Sequence, residues 1–220
     1  FYGIELDDFA HEIAKLALWL AEHQMNLEFF KAIGKSNPTL PLRDAGQITQ
    51  GNASKLSWNN VCPVKEREEL YILGNPPYLG SSLQSKEQKS EMEACFQFHG
   101  AYKNLDYISI WFFKAAEFIN GTQNAKSAFV TTNSICQGEQ VELLWPKIKK
   151  LNTEIFFAYE TFKWGNNAKY NAGVSVTVIG LRQKGLGEKT IFGKNHEQTV
   201  SNINSYLSNA SDTIVRKRRT

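Results

Sequence analysis

An asparagine, two prolines and a tyrosine, Asn75-Pro76-Pro77-Tyr78, close a short apolar run, Leu70-Tyr71-Ile72-Leu73, with Gly74 as the hinge. Each proline ring holds φ near one value and removes a backbone N–H. Pro76 also steers Asn75 away from the helical region. The run and its stop predict a buried strand that ends in a rigid turn. Such a turn keeps its carbonyls as acceptors, the Asn75 amide oxygen adds another, and Tyr78 supplies a flat face. Two acceptors beside an aromatic ring suit a planar group that carries an –NH2, such as the amino group of adenine.

The rest of the chain alternates strands and helices. Phe1 to Glu5 reads as a strand ending in an acid. Asp7-Asp8 can cap a helix, and Phe9, Ile13, Leu16 and Leu20 recur at helical spacing up to about Met25. Residues 34–46, with Gly, Asn and two prolines, read as a loop. Gln47 to Gln50 is a second short strand closed by Gly51-Asn52. Polar Ser81 to His99 is expected to be a mobile or partly helical segment over the site. Tyr107 to Ile119 is an apolar, aromatic helix, Ser127 to Thr132 a strand and Val141 to Leu151 a helix. Ile155 to Tyr159 and Val174 to Leu181 are strands expected to form an antiparallel hairpin. The alternation predicts an α/β sheet, mainly parallel. After about Asn195 the pattern decays into Ser, Asn and Thr, so residues 1–195 are expected to be one domain and 196–220 a linker.

Composition narrows the class. The chain has 220 residues, 42% hydrophobic and 21% charged, which suits a globular domain with a substantial core. No apolar run reaches the ~18–20 residues that span a bilayer, so no membrane partner is expected. Cys62, Cys95 and Cys136 are odd in number and widely spaced; this argues against a disulfide framework or zinc site and fits a reducing cytoplasm. His11, His23, His99 and His196 have no ligand spacing, so no metal is expected, and His11 and His23 read as surface residues. The net charge of +3 owes four positive charges to Arg216, Lys217, Arg218 and Arg219. The remainder is close to neutral, so bulk charge makes no case for nucleic acid.

In an open α/β sheet, ligands bind at the carboxyl ends of the strands. Glu5, Asn52 and Asn75 each stand at such an end. Taken singly, a strand-terminal Glu is commonly a solvated edge and Gly-Asn an ordinary turn pair; the three together point to one site. With Gly3 to Asp7, Gly51-Asn52-Ala53, Gly74 to Tyr78, Leu105-Asp106-Tyr107, Thr131 to Gln140, Phe162-Lys163-Trp164 and the strand Gly173 to Leu181, the chain resembles class I S-adenosylmethionine-dependent methyltransferases of the N6-adenine DNA type. More narrowly, it is similar to the MmeI-like restriction-modification group.

The resemblance implies a Rossmann-like fold and S-adenosylmethionine as methyl donor. It implies that Glu5 binds the donor's ribose, that Leu6 packs on its adenine, and that Asn52 with Ala53 reads the adenine edge, where many relatives carry Asp. Trp111 is either a cofactor contact or core. Asn75 and the Pro76 carbonyl would hold the target amine and Pro77 would stiffen the turn. Tyr78 would stack on the target base, with Phe162 or Trp164 against its other face. The partner would be double-stranded DNA with the adenine flipped out. The family's glycine-rich donor loop and first strand lie upstream of Gly3-Ile4-Glu5. The chain is therefore expected to be part of a larger polypeptide that includes a target-recognition domain, and to bind S-adenosylmethionine weakly by itself. Glutamine N5-methylation of protein, adenine methylation of RNA, and a catalytically incompetent piece that only folds or binds nucleic acid remain as alternatives.

Overall fold

In a computed structural model of the chain, residues 1–34, 47–64, 68–122, 124–163, 174–185 and 187–215 are described. The chain divides into two compact units, Phe1–Pro63 and Val64–Thr220.

The first unit contains strand β1 (Tyr2–Glu5), helix α1 (Asp8–Ile33), strand β2 (Gln47–Gln50) and a single helical turn α2 (Trp58–Val61). β1 and β2 pair in parallel, with Glu5 opposite Gln50. The Asp7 carboxylate starts α1 by accepting from Ala10 N at 2.8 Å, which satisfies one of the donors a helix start leaves open. The helix runs past Met25 to Ile33 and stops at Gly34, whose φ of 73° places it in the left-handed region, where glycine carries no Cβ penalty. His11, expected on the surface, is half-buried, and its Nε2 lies 2.9 Å from the Ile48 carbonyl, tying α1 to β2.

The second unit contains β3 (Leu70–Gly74), α3 (Lys86–Phe96), α4 (Ser109–Gly121), β4 (Ala125–Thr132), α5 (Gly138–Lys150), β5 (Thr153–Tyr159), β6 (Phe162–Lys163), β7 (Ser175–Gln183), β8 (Lys189–Phe192) and β9 (Glu197–Val200). Its seven-stranded sheet has the order β3-β4-β7-β5-β8-β9, with β6 on β7. β3 runs parallel to β4 and β5 parallel to β8. β7 lies antiparallel between β4 and β5, so the expected hairpin of the last two strands is present and fills the middle of the sheet. The α/β, Rossmann-like class holds. The stretch expected to be linker opens with β9, paired antiparallel to β8.

One expectation changes. β3 is not a buried strand: it stands at the end of the sheet, and Tyr71 and Leu73 are 58% and 76% exposed. Among the described residues β4 pairs along one edge of β3. The Ser81–His99 segment is partly helical, as expected: α3 is started by a capping box in which Ser85 and Gln88 each bind the other's backbone. Met92 and Phe96 anchor it in the core.

That core gathers around α4, which is apolar on nearly every side and correspondingly buried. Phe112 meets Phe129 of β4 edge-on at 5.3 Å and Trp145 of α5 at 6.2 Å. Each such fully buried side chain contributes roughly 1.5–3 kcal/mol, which makes α4 the platform on which β4 and β7 pack. Among the described residues no helix is long and apolar enough to cross a membrane.

Candidate active site

The sequence Asn75–Tyr78 leaves β3 at the carboxyl end of the strand, immediately after Gly74, which pairs with Phe129 of β4. Asn75 and Pro77 are exposed, Pro76 is buried and Tyr78 half-buried. Pro76 thus roots the turn while Asn75 is exposed. The segment has no regular secondary structure, as expected where two successive residues lack an N–H.

The turn is gripped at the next residue, Leu79. Its N–H donates to Asp106 Oδ1 at 2.9 Å. Its carbonyl accepts from Tyr107 N at 3.0 Å and from the Gln84 side chain at 3.1 Å. Gln84 also donates to the Leu105 carbonyl at 2.9 Å. Asp106 accepts a further bond from Ile108 N at 3.2 Å, at the start of α4. Its own N–H donates to Gln140 Oε1 at 2.9 Å, and Gln140 Nε2 donates to the Asn104 carbonyl at 2.7 Å. Below this, the Tyr107 hydroxyl makes a short hydrogen bond to the buried Glu91 carboxylate of α3.

The remaining candidates of this unit are placed as follows. Trp111 on α4 is half-buried and lies edge-on to Tyr107 at 5.2 Å. Phe162 on β6 is 38% exposed and sits opposite Val176 of β7. Trp164 lies outside the described residues, as does the cluster Arg216 to Arg219. Thr131 and Thr132 end β4, and Asn133–Cys136 forms a 3-10 turn whose Ile135 carbonyl accepts from the Trp145 indole at 2.8 Å.

In the first unit, Glu5 ends β1, and its Oε1 accepts from Leu6 N at 2.8 Å and Asp7 N at 3.1 Å. Those bonds fix the direction of the carboxylate beside Leu6, which is 67% exposed. Gly51 N donates to the Glu5 carbonyl at 2.8 Å, so the ends of β1 and β2 are stitched together. The Asn52 amide oxygen accepts from Ser54 N at 2.9 Å and Ser54 Oγ at 2.7 Å. It therefore shapes its own turn. The Ala53 carbonyl accepts from the Trp58 indole at 2.9 Å.

Residues 1–193 match the family described as MmeI, DNA-methyltransferase domain. This chain belongs to that family. DNA methyltransferase A of Bacillus subtilis (strain 168) is 48% identical over 223 residues, covering 99% of this chain and 25% of the relative. A solved structure of the Type IIL restriction-modification enzyme MmeI in complex with DNA superposes with a TM-score of 0.91 at 38% identity, covering 100% of this chain and 30% of that one. The chain thus spans between a quarter and a third of the length of these relatives.

Within this MmeI-family domain, sequence reasoning singled out the turn but overlooked what holds it. Leu105-Asp106-Tyr107 entered only as part of the resemblance, and Gln84 only as one polar residue among several. A glutamine in a polar stretch gives no sign that it is 6% exposed and bound to two carbonyls. The one available signal was Asp106 directly ahead of the apolar helix expected from Tyr107, the position of a helix-starting side chain.

Proposed function

We propose that the chain is the catalytic part of a restriction-modification enzyme that transfers a methyl group to the N6 amine of adenine in DNA. The observation that carries this reading is the rigid Asn75–Tyr78 turn at the open end of β3, in a chain of the MmeI family. The methyl donor is S-adenosylmethionine, which supplies an electrophilic methyl on a sulfonium. The first unit has a donor set that fits its adenosine: Glu5 is a directed carboxylate suited to two ribose hydroxyls, with the exposed Leu6 beside it. Asn52 and Ala53 are the adenine-edge candidates, and the Asn52 oxygen accepts from Ser54.

The chain's own groups do the positioning. The Asn75 amide oxygen and the Pro76 carbonyl accept the two amine hydrogens. This favours a pyramidal nitrogen and localises a lone pair otherwise delocalised into the ring. That lone pair forms the N–C bond as the C–S bond breaks, and the surplus amine proton leaves to solvent. The work is orientation and electrostatics. The base must leave the duplex at a cost of a few kcal/mol, and stacking on Tyr78, worth about 1–3 kcal/mol, offsets it. Phe162 or Trp164 supplies the opposite face. A soluble, cytoplasmic setting accords with this reading.

Tritiated methyl transfer to duplex DNA by the full-length protein, followed by nucleoside analysis, tests the proposal. N6-methyladenine is the expected product, and Asn75→Ala should lower kcat by about 100- to 1,000-fold. Methylated cytosine, or transfer only to RNA or to a release-factor-type protein, would overturn it.

A further inference from the structure

The hydrogen bonds around Leu79 form a device that the proposed chemistry has not yet used. We propose that Asp106 and Gln84 are positioning residues for the methyl transfer, locking the backbone on both sides of the Leu79 Cα and thereby setting the Tyr78 ring and the Asn75 amide against the target base. This rests on the reading of Asn75–Tyr78 as the amine site.

Both side chains are buried, at 8% exposure for Asp106 and 6% for Gln84. A polar group is kept at such depth only where its hydrogen bonds are made. The bonds made here converge on one residue and hold the peptide units on both sides of its Cα. Asp106 takes the Leu79 N–H, while Gln84 and the Tyr107 N–H take the Leu79 carbonyl. Neither of these peptide units can then rotate without breaking one of the bonds.

The place of the grip is also informative. Pro76 and Pro77 offer no N–H, so they cannot be tied by donation. Leu79, next to Tyr78, is where the turn is fastened from outside, and β3 with buried Pro76 fastens its other end. Asp106 is itself aimed: Gln140 of α5 holds its N–H, and the N–H of Ile108 at the start of α4 shares its carboxylate. The rigidity of the packed helices thus reaches the turn through two side chains 27 and 5 residues away in sequence. Flipped-base chemistry depends on such placement, because a displacement of about 1 Å can cost about 100-fold in rate.

Three variants of the full-length protein decide the matter by single-turnover methylation, with active sites counted by S-adenosylmethionine titration. Asp106→Ala should lower kcat by about 100-fold per active site with KM for the methyl donor nearly unchanged. Asp106→Asn, which keeps an oxygen in the same place, should recover to within about tenfold of the parent. Gln84→Met should lower kcat by about tenfold, and with 2-aminopurine at the target position it should change the fluorescence of the bound, flipped base. An unchanged kcat per active site in Asp106→Ala would overturn the proposal, as would Asp106→Asn being as slow as Asp106→Ala. If Asp106→Ala fails to fold, Gln84→Met decides: an unchanged rate and fluorescence overturn the proposal. Asn75→Ala in parallel separates the two levels. Activity surviving in Asn75→Ala refutes the site itself, whereas an inactive Asn75→Ala beside a fully active Gln84→Met refutes only the positioning role.

Discussion

Glu154, on β5, holds two cations that belong to neighbouring strands, and its removal should be among the most destabilising single changes in the sheet. Arg182 Nε of β7 lies 3.0 Å from Glu154 Oε1, and Lys189 Nζ of β8 lies 2.9 Å from Oε2. The three side chains are only 7–12% exposed. Arg182 also donates to the Gly187 carbonyl, and Lys189 to Asn202 Oδ1 at 2.9 Å. Charge-assisted hydrogen bonds contribute about 1.5–3 kcal/mol each, but desolvation of three charges offsets much of that. Breaking the cluster is the costlier event, since it leaves two cations without their anion, about 3–5 kcal/mol. Glu154→Gln keeps one acceptor oxygen and should fall near the lower end, about 3 kcal/mol at pH 7. With a urea slope of about 2 kcal/mol/M, the unfolding midpoint should drop by about 1.5 M, followed by the fluorescence of buried Trp145.

Burial alone would raise the Glu154 pKa, but the hydrogen bonds from Lys189 and Arg182, with their charges, outweigh it and hold the carboxyl below its ordinary value. A group depressed on folding contributes fully above its unfolded pKa and loses that contribution as pH falls through the folded value. The gap between the parent and Glu154→Gln should therefore close below about pH 4. Replacing all three groups by apolar side chains, Glu154→Leu with Arg182→Met and Lys189→Met, should recover most of the loss. A midpoint shift under about 0.5 M for Glu154→Gln, or a gap that widens in acid, would refute the reasoning.

Tyr78→Ala should reduce kcat/KM for DNA methylation by about 10- to 100-fold, as expected for losing one stacking face. Tyr78→Phe should restore it in the same steady-state assay, since the ring alone is required. Gly180→Ala should destabilise the sheet by about 1–3 kcal/mol in urea unfolding, because the added methyl would lie 2.2 Å from Phe157 Cε1. Cys95 and Cys136 should resist alkylation by iodoacetamide at pH 8 in the native protein and react only on unfolding. Burial pushes the Cys95 thiol up to about 12 and the Cys136 thiol higher still, so neither forms the reactive thiolate; mass spectrometry of labelled peptides reads this out.

Much of the architecture was legible because its causes are local. Proline geometry at Pro76-Pro77 predicts the stop after β3, and Asp7 predicts the start of α1. Apolar crowding from Tyr107 to Ile119 predicts the central helix. Each signal lies within a few residues of the backbone it governs, so it survives without knowledge of the fold. β8 and β9 escaped notice; each is only four residues long and is paired along a neighbour's edge.

The arrangement of those pieces has a different origin. That β7 lies between β4 and β5, that β3 pairs in parallel with β4, and that Glu154 faces Arg182 and Lys189 are outcomes of long-range pairing. The same is true of the grip on Leu79, which joins residues 79, 84, 106 and 140 through bonds that span up to 34 positions. A rigid turn can be read from two adjacent prolines, because each ring restricts its own φ. The direction in which that turn presents Asn75 and Tyr78 depends on buried hydrogen bonds to distant side chains, and those exist only once the core around α4 has packed.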